Sequence, residues 1–143
     1  SLGFLQKASG LSYGSRGTTV YRLGSGGQPI AEAEGGYIRC LGAWNGDLIV
    51  AGNFDGIGGV AADKVARYDE SQWHTFPAPV GSWVDAVAEW DGQLAIAGVR
   101  LDAEGPGEYG VAIWTGSEWD QLPGVFDGPP GDWGRQRLRV QID

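Results

Sequence analysis

The amino-acid sequence predicts an all-β fold made of repeated four-stranded antiparallel sheets. Composition is the first reason: among 143 residues there are 26 glycines, 7 prolines and 7 tryptophans but no methionine. Frequent Gly and Pro favour turns over long helices, and the apolar residues are flat and stiff rather than flexible. An internal repeat is the second, because residues 37–82 lie over residues 83–128 without a gap. Trp44 meets Trp90, Gly46 meets Gly92, Leu48 meets Leu94, Ala51 and Gly52 meet Ala97 and Gly98, and Gly59 meets Gly105. Val65 and Ala66 then meet Val111 and Ala112, Ser71 meets Ser117, Trp73 meets Trp119, and Pro77 meets Pro123. These are eleven identities in forty-six positions, where such a composition alone gives roughly four. Turn chemistry is the third: "NG" at Asn45 and "DG" at Asp91 sit between apolar runs and are the strongest two-residue hairpin signals.

Along the chain, residues 17–36 are expected to be the outer part of a preceding unit, with Val20 and Arg22 beside Val65 and Arg67, although Gln28 stands where a Trp is expected. The full unit 37–82 predicts strands near 37–44, 47–52, 64–68 and 73–77, with the glycine-rich loop "NFDGIGGVAAD" between the second and third. The unit 83–128 predicts the same near 83–90, 93–98, 110–114 and 119–123, around the acidic loop "VRLDAEGPGEY". Residues 129–143 open a next unit or form an irregular closing segment. Four strands in about 46 residues is the size of one β-propeller blade, so the chain holds about three blades. Trp44 and Trp90 end first strands, Trp73 and Trp119 open outer strands, and Gly52 and Gly98 end second strands. Packing between blades explains all six, with the small Gly42, Ala43, Ala86 and Ala88 where first strands crowd around an axis. An ion pair is expected between Arg39 and Asp85, equivalent positions on the two first strands.

Charge narrows the partners. A formal net charge of −8 disfavours nucleic acid, which needs clustered cations. The one basic concentration, Arg135, Arg137 and Arg139, alternates and so shares one solvated strand face. Cys40 is the single cysteine, inside the apolar run "YIRCLGAW", and reads as core; without a pair it leaves the compartment open. No run approaches the roughly 18 apolar residues of a membrane-spanning helix, and "SLGFLQKASGLSYGSRG" lacks a signal peptide's charged-then-apolar layout. Ser1 in place of an initiator methionine leads to the expectation that further sequence precedes it.

"AGNFDGIGGVAADKVARYDESQW" resembles the repeat of large, mostly bacterial, exported β-propellers similar in form to Kelch and galactose-oxidase-type propellers, with an A/G-G-x-F loop, a G-G-x-x-A step, an I/V-A-x-W strand and a D-G-x-x-W turn. Residues 83–128 keep that frame but carry "RLDAEGPGE" in place of the F-x-x-x-G-G loop. The resemblance implies a propeller fold and an extracellular, cell-surface or periplasmic setting. It implies no reaction, because the repeat carries no catalytic motif.

Chemistry-bearing residues are sparse. His74 is the only histidine, which argues against His-rich metal sites and Ser/His/Asp or Cys/His centres, and on an outer strand it is expected to be exposed. "GSGG" at 24–27 lacks the Lys and Ser/Thr of a phosphate loop; Asp102, Glu104 and Glu108 lack EF-hand spacing; Asp47, Asp55 and Asp63 suit turns. The expectation is therefore no enzyme, no cofactor and no metal, but a structural or interaction module that docks another macromolecule as an accessory subunit of a larger assembly. The alternative is a carbohydrate-binding propeller using Trp83 and Trp133, which follow the small-residue turns "PVGS" and "PPGD". Three blades leave apolar end faces that are expected to be covered by a longer chain, a second copy or another protein.

Overall fold

The computed structural model describes residues 4–8, 11–23, 27–77, 84–99 and 109–121. Among them there are strands and no helix. β1 (Phe4–Ala8), β2 (Leu11–Arg16), β3 (Thr19–Arg22) and β4 (Gln28–Glu34) form a first antiparallel meander. β5 (Ile38–Trp44) and β6 (Asp47–Gly52) lead into a short ribbon, β7 (Gly56–Ile57) and β8 (Val60–Ala61), and then β9 (Val65–Tyr68) and β10 (Trp73–Thr75). β11 (Ala86–Trp90), β12 (Gln93–Val99), β13 (Tyr109–Trp114) and β14 (Trp119–Gln121) follow. The sheet orders are β1-β2-β3-β4-β7-β8, β10-β9-β6-β5 and β11-β12-β13-β14, and none closes on itself.

The repeat seen in the sequence is a repeat of pairing register. Trp44 opposite Asp47 becomes Trp90 opposite Gln93, Ile49 opposite Arg67 becomes Ala95 opposite Ile113, and Tyr68 opposite Trp73 becomes Trp114 opposite Trp119. Both hairpin turns are of the predicted kind: Asn45 and Gly46 have φ of 53° and 82°, Asp91 and Gly92 have 52° and 80°. Positive φ at both central residues gives the turn the twist of the strands it joins.

Period-2 alternation then gives the second sheet two buried faces. Leu48, Val50 and Ala66 of the second sheet pack with Tyr13, Val20 and Ala33 of the first. The opposite face, with Cys40, Ile49, Ala51 and Val65, packs with Val84, Leu94, Ile96 and Ala112 of the third. Leu94, Ile96 and Ala112 stand 46 residues after Leu48, Val50 and Ala66, so the third sheet meets the second through the same positions by which the second meets the first. Burial on both sides explains why "DLIVAG" and "QLAIAG" are nearly continuous apolar runs instead of alternating ones. The small residues serve close approach: a side chain on Gly42 would run into the Val87 methyl of β11.

Two features differ from expectation. β1 and β2 precede β3 and β4 in one four-stranded meander, and they carry no tryptophan or Asn-Gly mark to announce them. The glycine-rich loop contains the β7–β8 ribbon, and β7 pairs with β4 of the preceding sheet, Ala33 opposite Ile57 and Glu34 opposite Gly56. Around Ser12, Arg16, Thr19, Tyr21 and Pro29 the first sheet's far face is largely polar and partly or fully exposed. On the third sheet the far face of Ala86, Ala95, Ala97, Val111 and Ile113 is at most 5% exposed.

Candidate functional site

The seam between the second and third sheets carries an ion pair and two indole hydrogen bonds. At Arg39 the β5–β6 register shifts, Ile38 facing Gly52 while Cys40 faces Ala51, so Arg39 is the extra residue of a bulge. Bulges re-aim side chains, and this one forms an ion pair between the Arg39 Nε and Asp85 Oδ1, the pairing the repeat predicts. Gly52 O accepts a hydrogen bond from Val84 N at 3.0 Å, as Gly17 O accepts one from Ile38 N at 3.1 Å one sheet earlier. Burial pushes the Cys40 thiol far above its ordinary range, the Asp85 charge pushes it further, and Arg39 opposes them. A thiol held protonated is neither a nucleophile nor a metal ligand.

Arg39 is 34% exposed at its side chain and Asp85 12%. Solvent screening therefore limits the pair, and a double-mutant cycle with Arg39→Ala and Asp85→Ala is expected to give a coupling of about 1 kcal/mol or less, weakening with salt. A coupling above about 2 kcal/mol contradicts that screened geometry.

Tryptophans hold the same seam. The Trp44 Nε1 donates to Gly92 O at 3.0 Å, and the Trp119 Nε1 donates to Pro77 O at 2.8 Å. Phe76 meets Trp114 edge-on at 5.0 Å and lies 5.4 Å from Trp119. Arg67 lies over the Trp44 ring at 6.0 Å and 3.4 Å from Asp47 Oδ2. Trp73 packs on Tyr68 at 4.7 Å, against the first sheet, over the bare backbone of Gly58. Trp90 departs from the packing expected of it: it is 39% exposed, and among the described residues its indole has no hydrogen-bond partner. Gly52 and Gly98 are buried. Trp83 and Trp133 lie outside the described residues, as do the Asp102, Glu104 and Glu108 loop and Arg135, Arg137 and Arg139.

The β9–β10 turn forms a second polar cluster. The Asp69 Oδ1 accepts from Ser71 N at 2.8 Å and Gln72 N at 2.9 Å, and its Oδ2 lies 2.6 Å from the His74 Nε2. His74 is thus half-buried and partnered, where the sequence suggested an exposed bystander. Thr115 plays the turn-closing part in the third sheet through its Oγ1, 3.4 Å from Ser117 N and 3.2 Å from Glu118 N. Glu70 reaches back to Arg22 of the first sheet at 3.0 Å.

The His74 hydrogen bond, followed by those from Gln72 and Ser71, holds the Asp69 carboxyl below its ordinary value of 3.8. A lowered carboxyl pKa contributes stability that is present above the unfolded value and lost as pH falls through the folded one. Acidification from about pH 4 downward is expected to weaken this turn, and Asp69→Asn to flatten that part of the stability-against-pH curve. An unchanged slope in the variant contradicts the assignment.

Among the described residues no group of three or more His, Cys, Asp or Glu is placed to hold a metal ion, and no helix is long and apolar enough to cross a membrane. What the surface offers instead is exposed aromatic area, Tyr37 at 52% and Trp90 at 39%, with Leu11 at 37%. Comparisons with protein-family models, with curated proteins and with solved structures found no match.

Proposed function

We propose that the chain is a non-catalytic structural and interaction module, a run of β-propeller blades that docks another macromolecule as an accessory part of a larger assembly. The face-to-face stacking of sheets at one repeated register supports the propeller reading, because blades of a propeller bury themselves against their neighbours in this way. The observation that carries the docking role is Trp90. Its counterpart Trp44 is tied to Gly92 O across a seam, whereas Trp90 leaves its ring open beside the exposed Glu89 and Asp91. Exposed aromatic rings are the commonest anchors of protein interfaces. The buried thiol and the carboxylate-bound histidine support a role without catalysis. An extracellular or cell-surface setting belongs to the same proposal.

The full chain used as bait in extract of the cells that produce it is expected to retain a partner at stoichiometric amounts. Trp90→Ala should weaken that retention by about tenfold or more, the loss of one hot-spot residue. Equal retention by both chains contradicts the reading.

The same open ring next to Asp91 also fits a carbohydrate, stacked on the indole and hydrogen-bonded by the carboxylate. Quenching of Trp90 fluorescence by an oligosaccharide, absent in Trp90→Phe, would select that alternative over a protein partner.

A further inference from the structure

The hairpins that carry Trp44 and Trp90 share a register but not their charges. On the second sheet Trp44 lies opposite Asp47 and Ile49 lies opposite Arg67, so the ring, the carboxylate and the guanidinium stand on one face. The Arg67 guanidinium is 6.0 Å from the centre of the Trp44 ring, and its Nε is 3.4 Å from Asp47 Oδ2. That ring has its cation. The same three positions in the next repeat, 46 residues on, hold Trp90, Gln93 and Ile113, a ring with neither the carboxylate nor the guanidinium of its counterpart. The flanks change in the opposite sense, since Ala43 and Asn45 beside Trp44 become Glu89 and Asp91 beside Trp90, both exposed. The third sheet keeps the ring, drops its cation and adds acid.

We propose, on the reading of Trp90 as the docking anchor, that its ring receives an arginine side chain from a basic segment of a protein partner, stacked on the indole and paired with Glu89 or Asp91. A cation over an indole face is attracted by the ring's negative quadrupole, and neighbouring carboxylates add an attraction of longer range. Arginine suits the place better than lysine, because a planar guanidinium stacks on the ring while its N–H groups reach a carboxylate, and Arg67 stands over Trp44 beside Asp47 in that way. Charge agrees. The chain's net charge of −8 favours encounter with a basic partner, and a neutral or acidic one would leave Glu89 and Asp91 without a counter-charge. Trp90, 39% exposed, has ring surface to offer, whereas Trp44 is bonded to Gly92 O and already carries Arg67.

The probe is a blocked peptide carrying a pair of arginines, followed at the Trp90 indole resonances by NMR in the full chain. It is expected to shift them and to bind at least about threefold more tightly than the same peptide with citrulline, which keeps the planar side chain without its charge. The double variant Glu89→Ala with Asp91→Asn takes the residues of the equivalent second-sheet hairpin, Ala43 and Asn45, and so suits the turn. It should weaken binding of the arginine peptide by about threefold or more, as should salt at about 1 M. Equal binding of the citrulline peptide, equal binding by the double variant, or no shift at Trp90 overturns the proposal, and a shift with a neutral oligosaccharide alone overturns it in favour of a sugar. Retention of a partner from extract separates this failure from that of the docking role. Loss in Trp90→Ala with full retention by the double variant leaves docking without the arginine, whereas full retention by Trp90→Ala removes docking itself.

Discussion

Gly52→Ala is expected to destabilise the protein by about 3 kcal/mol, the upper end for overpacking. Gly52 lies opposite Ile38 at the bulge that frees Arg39, and a Cβ there would run into the Tyr37 carbonyl and press on Arg39 N at 2.9 Å. Backbone atoms cannot rotate aside, so relief requires moving β5, and β5 is packed between its two neighbouring sheets. Gly52 O also accepts from Val84 N, so movement is transmitted into the third sheet. Gly59→Ala is the matched control: at a φ of +83° with no atom within 4 Å, it is expected to cost only about 1 kcal/mol, from backbone conformation. Equilibrium urea unfolding of both variants checks the contrast, and equal losses would contradict the close approach at Gly52.

Phe54→Ala is expected to cost about 3–5 kcal/mol, the range for removing a buried aromatic ring. Phe54 is fully buried and belongs to the core shared by the first and second sheets, with Ile57 and Ala62 of the same loop. Its backbone is tied in as well, since Phe54 O accepts from Lys64 N at 3.0 Å and the following Asp55 N donates to Glu34 O at 2.7 Å. The loss should therefore appear as loosening between two sheets as well as global destabilisation: amides of β4 and β7 are expected to exchange faster than those of β12 and β13. A loss below about 1 kcal/mol would mean that the loop is peripheral.

Two of these elements show what the sequence reveals and what it hides. The hairpins at Asn45–Gly46 and Asp91–Gly92, the strand order within each unit and the Arg39–Asp85 pair were legible because each follows from local turn chemistry or from one repeat laid over another. The β7–β8 ribbon was not, because its hydrogen bonds go to β4, about twenty residues earlier, and two-residue strands leave no periodicity to read. β1 and β2 escaped for a related reason: "FLQKA" and "LSYGSR" differ so much from the other units that only packing reveals their equivalence. The partnership of His74 with Asp69 is five residues long and readable in principle, but it depends on Asp69 first closing its own turn. Trp90 is the reverse case. Sequence alone equates it with Trp44, and only the structure separates a ring held in a seam from one left open.

Hydrogen exchange at the tryptophan indoles, followed by NMR in the full chain, tests the central claim that stacked sheets use up some of these rings and leave Trp90 for a partner. The indole protons of Trp44 and Trp119, bonded to Gly92 O and Pro77 O, are expected to exchange slowly, and that of Trp90 at close to the rate of free indole. Slow exchange at Trp90 together with fast exchange at Trp44 and Trp119 would contradict both the stacking and the docking role drawn from it.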